Sequence, residues 1–153
     1  MRILFVCLGN ICRSPLVEAV AREEFARAGL HWSVDSCGTG GWHVGEGADP
    51  RSAKAGASAG YSLAAHRGRQ LCDSDYRDFD WLLAMDTDNL IEIERRRPLG
   101  AAAQVGLFLD VAGIAGDGEV PDPYYGGEAG FAHVLDLART GVEGLMRRFG
   151  DID

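Results

Sequence analysis

The chain predicts a single α/β domain of three layers, a four-stranded parallel sheet with helices on both faces. Three observations carry that expectation. Short apolar runs rich in β-branched and aromatic residues alternate with segments of helical periodicity, the pattern of successive β-α-β crossovers. The 153 residues suit one substantial core. No linker, repeat or low-complexity stretch divides the sequence, so residues 1–153 are expected to form one domain.

The first strand is Arg2-Ile-Leu-Phe-Val6, short and apolar enough to be buried. From Pro15 to about Ala28 the period becomes helical, with Leu16/Val20 and Val17/Ala21/Phe25 at i, i+4 spacing. Ser14 reads as its N-cap, Pro15 as the proline of its first turn, and Gly29 as its stop. Trp32-Ser-Val-Asp35 reads as a second strand, followed by a glycine-rich loop from Gly38 to Gly47. Asp49-Pro50 opens a second helix, rich in small residues through Ala59. Phe79–Met85 reads as a third strand, and Asp86-Thr87-Asp88 caps a helix that must end before Pro98. Val105–Leu109 reads as the fourth strand and 110–127 as an acidic Gly/Pro-rich loop. Glu128–Phe149 then forms the last helix, with Phe131, Val134/Leu135, Ala138, Val142, Leu145/Met146 and Phe149 on one stripe.

Composition excludes several functions. A net charge of −8 argues against a nucleic-acid partner, whose phosphates need clustered Lys and Arg. The one basic run, Arg95-Arg96-Arg97, suits the negative end of a helix dipole. No stretch approaches the roughly 18 to 20 apolar residues of a membrane span, so no membrane insertion is expected. The apolar start, Met1–Leu8, is too short for a secretion signal. A cytoplasmic protein is expected, in which Cys7, Cys12, Cys37 and Cys72 remain thiols rather than a disulfide framework.

The chemistry concentrates in Cys7-Leu-Gly-Asn-Ile-Cys-Arg13-Ser14-Pro15, between the first strand and the first helix. A loop there can turn successive N–H groups inward as an anion nest, reinforced by the helix dipole. Gly9 is expected to permit the tight backbone. Arg13 adds a planar fork able to grip two phosphate oxygens. Leu8, Gly9, Asn10, Ile11, Cys12, Arg13 and Ser14 together form the expected phosphate site. In such surroundings a thiol pKa can drop from about 8.5 to roughly 3.5–7.5. Cys7 is then a nucleophile that takes up the phosphoryl group, and Ser14 can donate to its sulfur as it leaves. A phenolic leaving group, whose acid has a pKa near 10, calls for a proton donor. Asp122, stiffened between Pro121 and Pro123, is the candidate general acid, with Asp110, Asp117 and Glu119 as nearby rivals.

The two segments, Cys-x5-Arg-Ser-Pro and Asp122-Pro-Tyr-Tyr-Gly, resemble the low-molecular-weight protein tyrosine phosphatases. The likeness extends to Asp35-Ser-Cys-Gly-Thr39, Gly41-Trp-His-Val-Gly-Glu46, Ala65-His-Arg67 and Ala84-Met-Asp86. The resemblance implies hydrolysis of phosphotyrosine through a phosphocysteine intermediate, with Cys7, Arg13 and Asp122 as catalytic residues. It implies no cofactor and no metal. It implies that Asn10, Ser14, Ser36 and His66 hold the phosphate loop in shape. Leu8, Ile11, Trp42, Tyr124 and Tyr125 are expected to wall a slot of aromatic depth that a phosphoserine does not fill. A tyrosine-phosphorylated protein is the expected partner, an autophosphorylating tyrosine kinase being one possibility. Trp42 could alternatively be a core filler that anchors its own loop. Cys12 matches the family's second cysteine, and oxidation joining it to Cys7 would protect the nucleophile. Cys37 stands where the family usually has alanine.

Three other functions fit parts of the pattern. A thiol-coupled arsenate reductase would need further relay cysteines, and only Cys72 lies in the middle of the chain. A phosphoarginine phosphatase is closer, but resemblance to that subgroup implies threonine where this chain has Ile11. A phosphocarrier would hold phosphate on Cys7 without needing Asp122 or an aromatic cleft.

Overall fold

The structure, a computed structural model, describes residues 1–124 and 126–150. Its elements run β1 (Arg2–Cys7), α1 (Arg13–Arg27), β2 (Ser33–Gly38), α2 (Pro50–Ser58) and α3 (Asp75–Asp78). They continue with β3 (Trp81–Ala84), α4 (Thr87–Arg95), β4 (Gln104–Leu107), α5 (Phe108–Val111) and α6 (Gly127–Phe149). The four strands are parallel, in the order β2-β1-β3-β4, as the alternating pattern predicts. The chain passes from β1 to β2 on one side and then crosses to β3 on the other. The strand order therefore reverses at β1, and the carboxyl end of β1 is where a crevice opens.

Alternation along β1 divides the core between two layers. Ile3, Phe5 and Cys7 point to the face covered by α1 and α6, among Leu16, Val20, Phe108, Val134 and Val142. Leu4 and Val6 point to the other face, with Cys37, Tyr76, Leu82 and Ile93. Phe5 meets Phe108 edge to face, with ring centroids 5.5 Å apart. No helix among the described residues is long and apolar enough to cross a membrane.

The helix signals act largely as expected. Gly29, at φ 76°, ends α1 as Leu30 N–H turns back to the Phe25 carbonyl. Asp49 accepts from Arg51 N at the start of α2, and Asp86 accepts from Asn89 N at the start of α4. The α6 stripe is buried from Phe131 to Leu145 as its period predicts, and Phe149 at its end is partly buried.

Several details differ, among them the third strand, which is confined to Trp81–Ala84 where it pairs with β1 and β4. α1 begins at Arg13, and Ser14 is not its N-cap; the Ser14 hydroxyl is instead held at Cys7, Asn10 and Cys37. β2 runs three residues further than expected, because Ser36-Cys37-Gly38 pair with Phe5-Val6-Cys7. A Cβ on Gly38 would lie 2.7 Å from the Leu8 carbonyl, so the polar, small sequence there serves close approach to the next loop. The expected fourth strand ends at Leu107, and its last residues turn into α5 so that Phe108 can reach Phe5. The single turn α3 lies in a stretch for which no element was expected.

α6 can approach α5 only because of two glycines. A Cβ on Gly144 would come 2.3 Å from the Ala112 carbonyl, and one on Gly141 would come 2.3 Å from the Phe108 ring. Gly144→Ala is therefore expected to destabilise the fold by about 1–3 kcal/mol despite alanine's better helix propensity. A lowered urea midpoint checks this, and an unchanged or raised midpoint contradicts it.

Candidate active site

β1 delivers Cys7 to the sheet's carboxyl edge, and the chain must then turn within five residues to start α1. Asn10 makes that turn in the left-handed region, at φ 58°, which an asparagine tolerates and a branched residue does not. Gly9, expected to supply the tight backbone, has no such conformation; a Cβ there would instead press on the His43 ring at 3.1 Å. Asn10 is completely buried and every polar group on it is engaged. Its N–H donates to Cys7 Sγ at 3.3 Å, and its carbonyl accepts from His66 Nε2 at 2.7 Å. Its Oδ1 accepts from Arg69 N, and its Nδ2 donates to Ser14 Oγ and Ser36 Oγ.

This scaffold points the loop at one sulfur. Cys7 is 2% exposed, with Ser14 Oγ 3.0 Å from Sγ. The backbone N–H groups of Gly9, Ile11, Cys12 and Arg13 donate to no protein acceptor among the described residues. They sit at the start of α1, where the helix dipole favours an anion. Above Cys7 lies a cleft of ≈ 270 Å³ whose lining includes Arg13, Trp42, His43, Asp122 and Tyr124.

Arg13 is 3% exposed and fixed from behind: its Nη1 donates to Asp86 Oδ2 at 2.5 Å and to the Val120 carbonyl at 3.1 Å. Burial opposes its charge, but Cys7, Asp86 and Asp122 outweigh burial and raise its pKa above the usual arginine value. Arg13 therefore brings a permanent cation to the cleft. Its Nη2 stands 3.8 Å from Asp122 Oδ2. The other Asp122 oxygen accepts from Tyr124 N–H at 3.0 Å, an Asx turn between two prolines that aims the carboxyl into the cleft. The rival acids lie elsewhere: Glu119 accepts from Thr87 N, and Asp117 accepts from Glu119 N in its own loop.

The walls are apolar and of unequal exposure. Leu8 is 44% exposed, while Ile11 is buried against Phe131 and Cys12. Trp42 is 71% exposed at the rim, so it is not a core filler; its ring lies over Gly40, where a Cβ would come within 1.9 Å. Arg51 steadies Tyr124 by donating to its carbonyl and by standing 5.2 Å from its ring centroid. Tyr125 lies outside the described residues. Ser36 and His66 both hydrogen-bond to Asn10.

Sequence reasoning missed Asp86 as the partner of Arg13, because its role as a helix cap already explained it. It also missed His43, Arg51, Arg69 and Glu18. Only His43 stood in a quoted motif, and the others reach the site through tertiary contacts alone.

Burial foremost, then Asp49 and Cys7, pushes the Cys12 thiol from 9.0 up to about 12. Burial likewise raises Cys37 well above its ordinary value. The folded state thus keeps the Cys12 proton that the unfolded chain loses, and this contribution to stability falls as pH rises from about 9 toward about 12. At pH 8 the Cys12 thiol keeps its proton. In a Cys7→Ser chain, iodoacetamide at pH 8 is expected to label exposed Cys72 and to spare Cys12 and Cys37 until the chain is unfolded. Peptide mass mapping checks this, and equal labelling of the three contradicts it.

Residues 2–151 match the family model described as low molecular weight phosphotyrosine protein phosphatase. A Schizosaccharomyces pombe protein of that name is 48% identical over 134 residues, covering 86% of this chain and 85% of the relative. A protein tyrosine phosphatase structure from Entamoeba histolytica superposes with a TM-score of 0.92 at 40% identity, covering 99% of this chain and 97% of that one. A Drosophila arginine phosphatase structure superposes with a TM-score of 0.93 at 30% identity over the whole of both chains. A match along nearly the whole sequence places this chain in the low molecular weight phosphotyrosine protein phosphatase family.

Proposed function

We propose that this chain is a protein-tyrosine phosphatase that works through a phosphocysteine intermediate. The observation that carries the reading is one cleft lined by Cys7, Arg13 and Asp122 together, with unpaired loop amides around the sulfur. Phosphate enters the nest of amides, and the free edge of the Arg13 guanidinium grips its oxygens. A Cys7 sulfur lone pair attacks phosphorus as the P–O bond breaks, and the departing tyrosyl oxygen takes a proton from Asp122. In the second step water attacks phosphorus and gives its proton to Asp122. The S–P bond breaks, and its electron pair returns to Cys7. Arg13, pinned by Asp86 and Val120, needs no rearrangement between the two steps.

Leu8, Ile11, Trp42 and Tyr124 select an aromatic ring, whose length brings its phosphate down to the sulfur. The substrates are tyrosine-phosphorylated proteins, including an autophosphorylating tyrosine kinase, met in the cytoplasm, where reducing conditions keep Cys7 a thiol. Under peroxide, Cys7 forms a sulfenic acid, and attack by Cys12 expels water to leave a reversible Cys7–Cys12 bridge. The likeness to an arginine phosphatase gives a second reading. Ile11 opposes it, because its apolar branch offers no acceptor to the guanidinium of a phosphoarginine.

Purified protein is expected to turn over para-nitrophenyl phosphate many times, and to prefer a phosphotyrosine peptide to a phosphoarginine one. A single equivalent of product would identify a carrier, and the reverse preference would favour the arginine reading. Cys7→Ser should abolish turnover. Asp122→Asn should slow phosphotyrosine hydrolysis by about 10²–10⁴-fold and the activated nitrophenyl ester less, because nitrophenolate leaves without a proton. Equal losses on both substrates contradict the acid role.

A further inference from the structure

Glu18, in the second turn of α1, takes no part in the steps above, yet it is 8% exposed and faces the back of the phosphate loop. Its Oε1 accepts from Ser36 Oγ at 2.5 Å, and its Oε2 accepts from Arg22 at 2.5 Å. From Ser36 a continuous file of hydrogen bonds leads to the nucleophile. Asn10 Nδ2 lies 3.0 Å from Ser36 Oγ and 2.9 Å from Ser14 Oγ, and Ser14 Oγ lies 3.0 Å from Cys7 Sγ.

Each hydroxyl in that file has one proton, so the direction of one bond fixes the next. A carboxylate only accepts. Ser36 must therefore give its proton to Glu18 and accept from Asn10. The Asn10 amide is oriented from its other side, where Oδ1 accepts from Arg69 N–H at 2.9 Å, so its NH2 faces both serines. Ser14 then accepts from Asn10 and keeps its own proton to donate. Two acceptors stand within reach, Cys7 Sγ at 3.0 Å and the Cys37 carbonyl at 3.4 Å, and the sulfur is nearer.

We infer that Glu18 is a positioning residue whose buried carboxylate, together with the Arg69 N–H, holds the polarity of the Ser36–Asn10–Ser14 file, so that Ser14 donates to the Cys7 sulfur. The inference rests on the phosphatase reading of the site and adds a residue to it. The benefit falls on the second step. As water bonds to phosphorus and the S–P bond breaks, charge develops on sulfur, and a donor already aimed there meets it without reorganisation. Reversal of the file would turn the Asn10 carbonyl toward Ser14. Ser14 would then give its proton to the amide and present a lone pair to the sulfur.

Glu18→Gln keeps the shape and replaces one acceptor by a donor; Arg22 attracts the remaining oxygen and leaves the NH2 for Ser36. The variant is compared with Ser14→Ala and with the double variant on para-nitrophenyl phosphate, by burst and steady-state kinetics. E18Q is expected to lower kcat roughly 5- to 10-fold and to enlarge the nitrophenolate burst as phosphocysteine accumulates. Inhibition by inorganic phosphate should stay within about twofold of wild type. In the Ser14→Ala background, the same change should alter kcat by less than about twofold, because its target is gone. Ser36→Ala breaks the file at the next link and runs through the same cycle, so the test survives if E18Q does not fold. Equal losses with and without Ser14, or weaker phosphate inhibition in step with kcat, make Glu18 a mere prop and overturn the inference alone. A wild-type chain without turnover overturns the phosphatase reading, and the inference with it.

Discussion

The site depends on a buried asparagine in a left-handed turn. Asn10 must take φ 58° to bring the chain from β1 into α1, and that conformation persists only because five hydrogen bonds over-determine it. They come from β2, from the His66–Arg69 segment, from the first turn of α1 and from Cys7 itself. A loop held from four directions cannot fill its own amides with local bonds, so its N–H groups remain for an anion. Rigidity of the frame and availability of the cradle are one property.

Charge is arranged with the same economy. Arg13 is buried among the Cys7 sulfur, Asp86 and Asp122, which compensates a cation that burial alone would penalise. Asp86 lies behind the guanidinium and fixes it, whereas Asp122 lies in front, half exposed, at a distance too long for a firm bond. The strong contact serves position and the loose one leaves a carboxyl free for chemistry. Cys12, five residues from Cys7, remains protonated because burial and Asp49 outweigh the opposing charge of Arg51.

Much of this was legible in the sequence because its causes are local. The alternation of apolar strands with helical periods gives the sheet, and a Cys, an Arg and a helix start within nine residues give a phosphate cradle without tertiary information. What stayed hidden depends on contacts between distant segments. Ser36-Cys37-Gly38 look like a loop, since they are chosen to let Leu8 pass closely, yet they extend β2. The one-turn helices at 75–78 and 108–111 are too short to show a period. Ser14 followed by proline looks like a helix cap, but a hydroxyl has one proton, and this one is placed at the sulfur rather than at a helix end. Glu18 and Arg22 look like an ordinary surface pair at i, i+4, and nothing in that spacing discloses Ser36.

The central claim is that the Cys7 sulfur carries the phosphoryl group between substrate and water. Rapid acid quench of an Asp122→Ala chain mixed with a phosphotyrosine peptide, followed by peptide mass mapping, tests it most directly. The account predicts one phosphoryl group on the peptide containing Cys7, absent when Cys7 is replaced by serine. A phosphoryl group on any other residue, or hydrolysis with no covalent adduct during turnover, would contradict it.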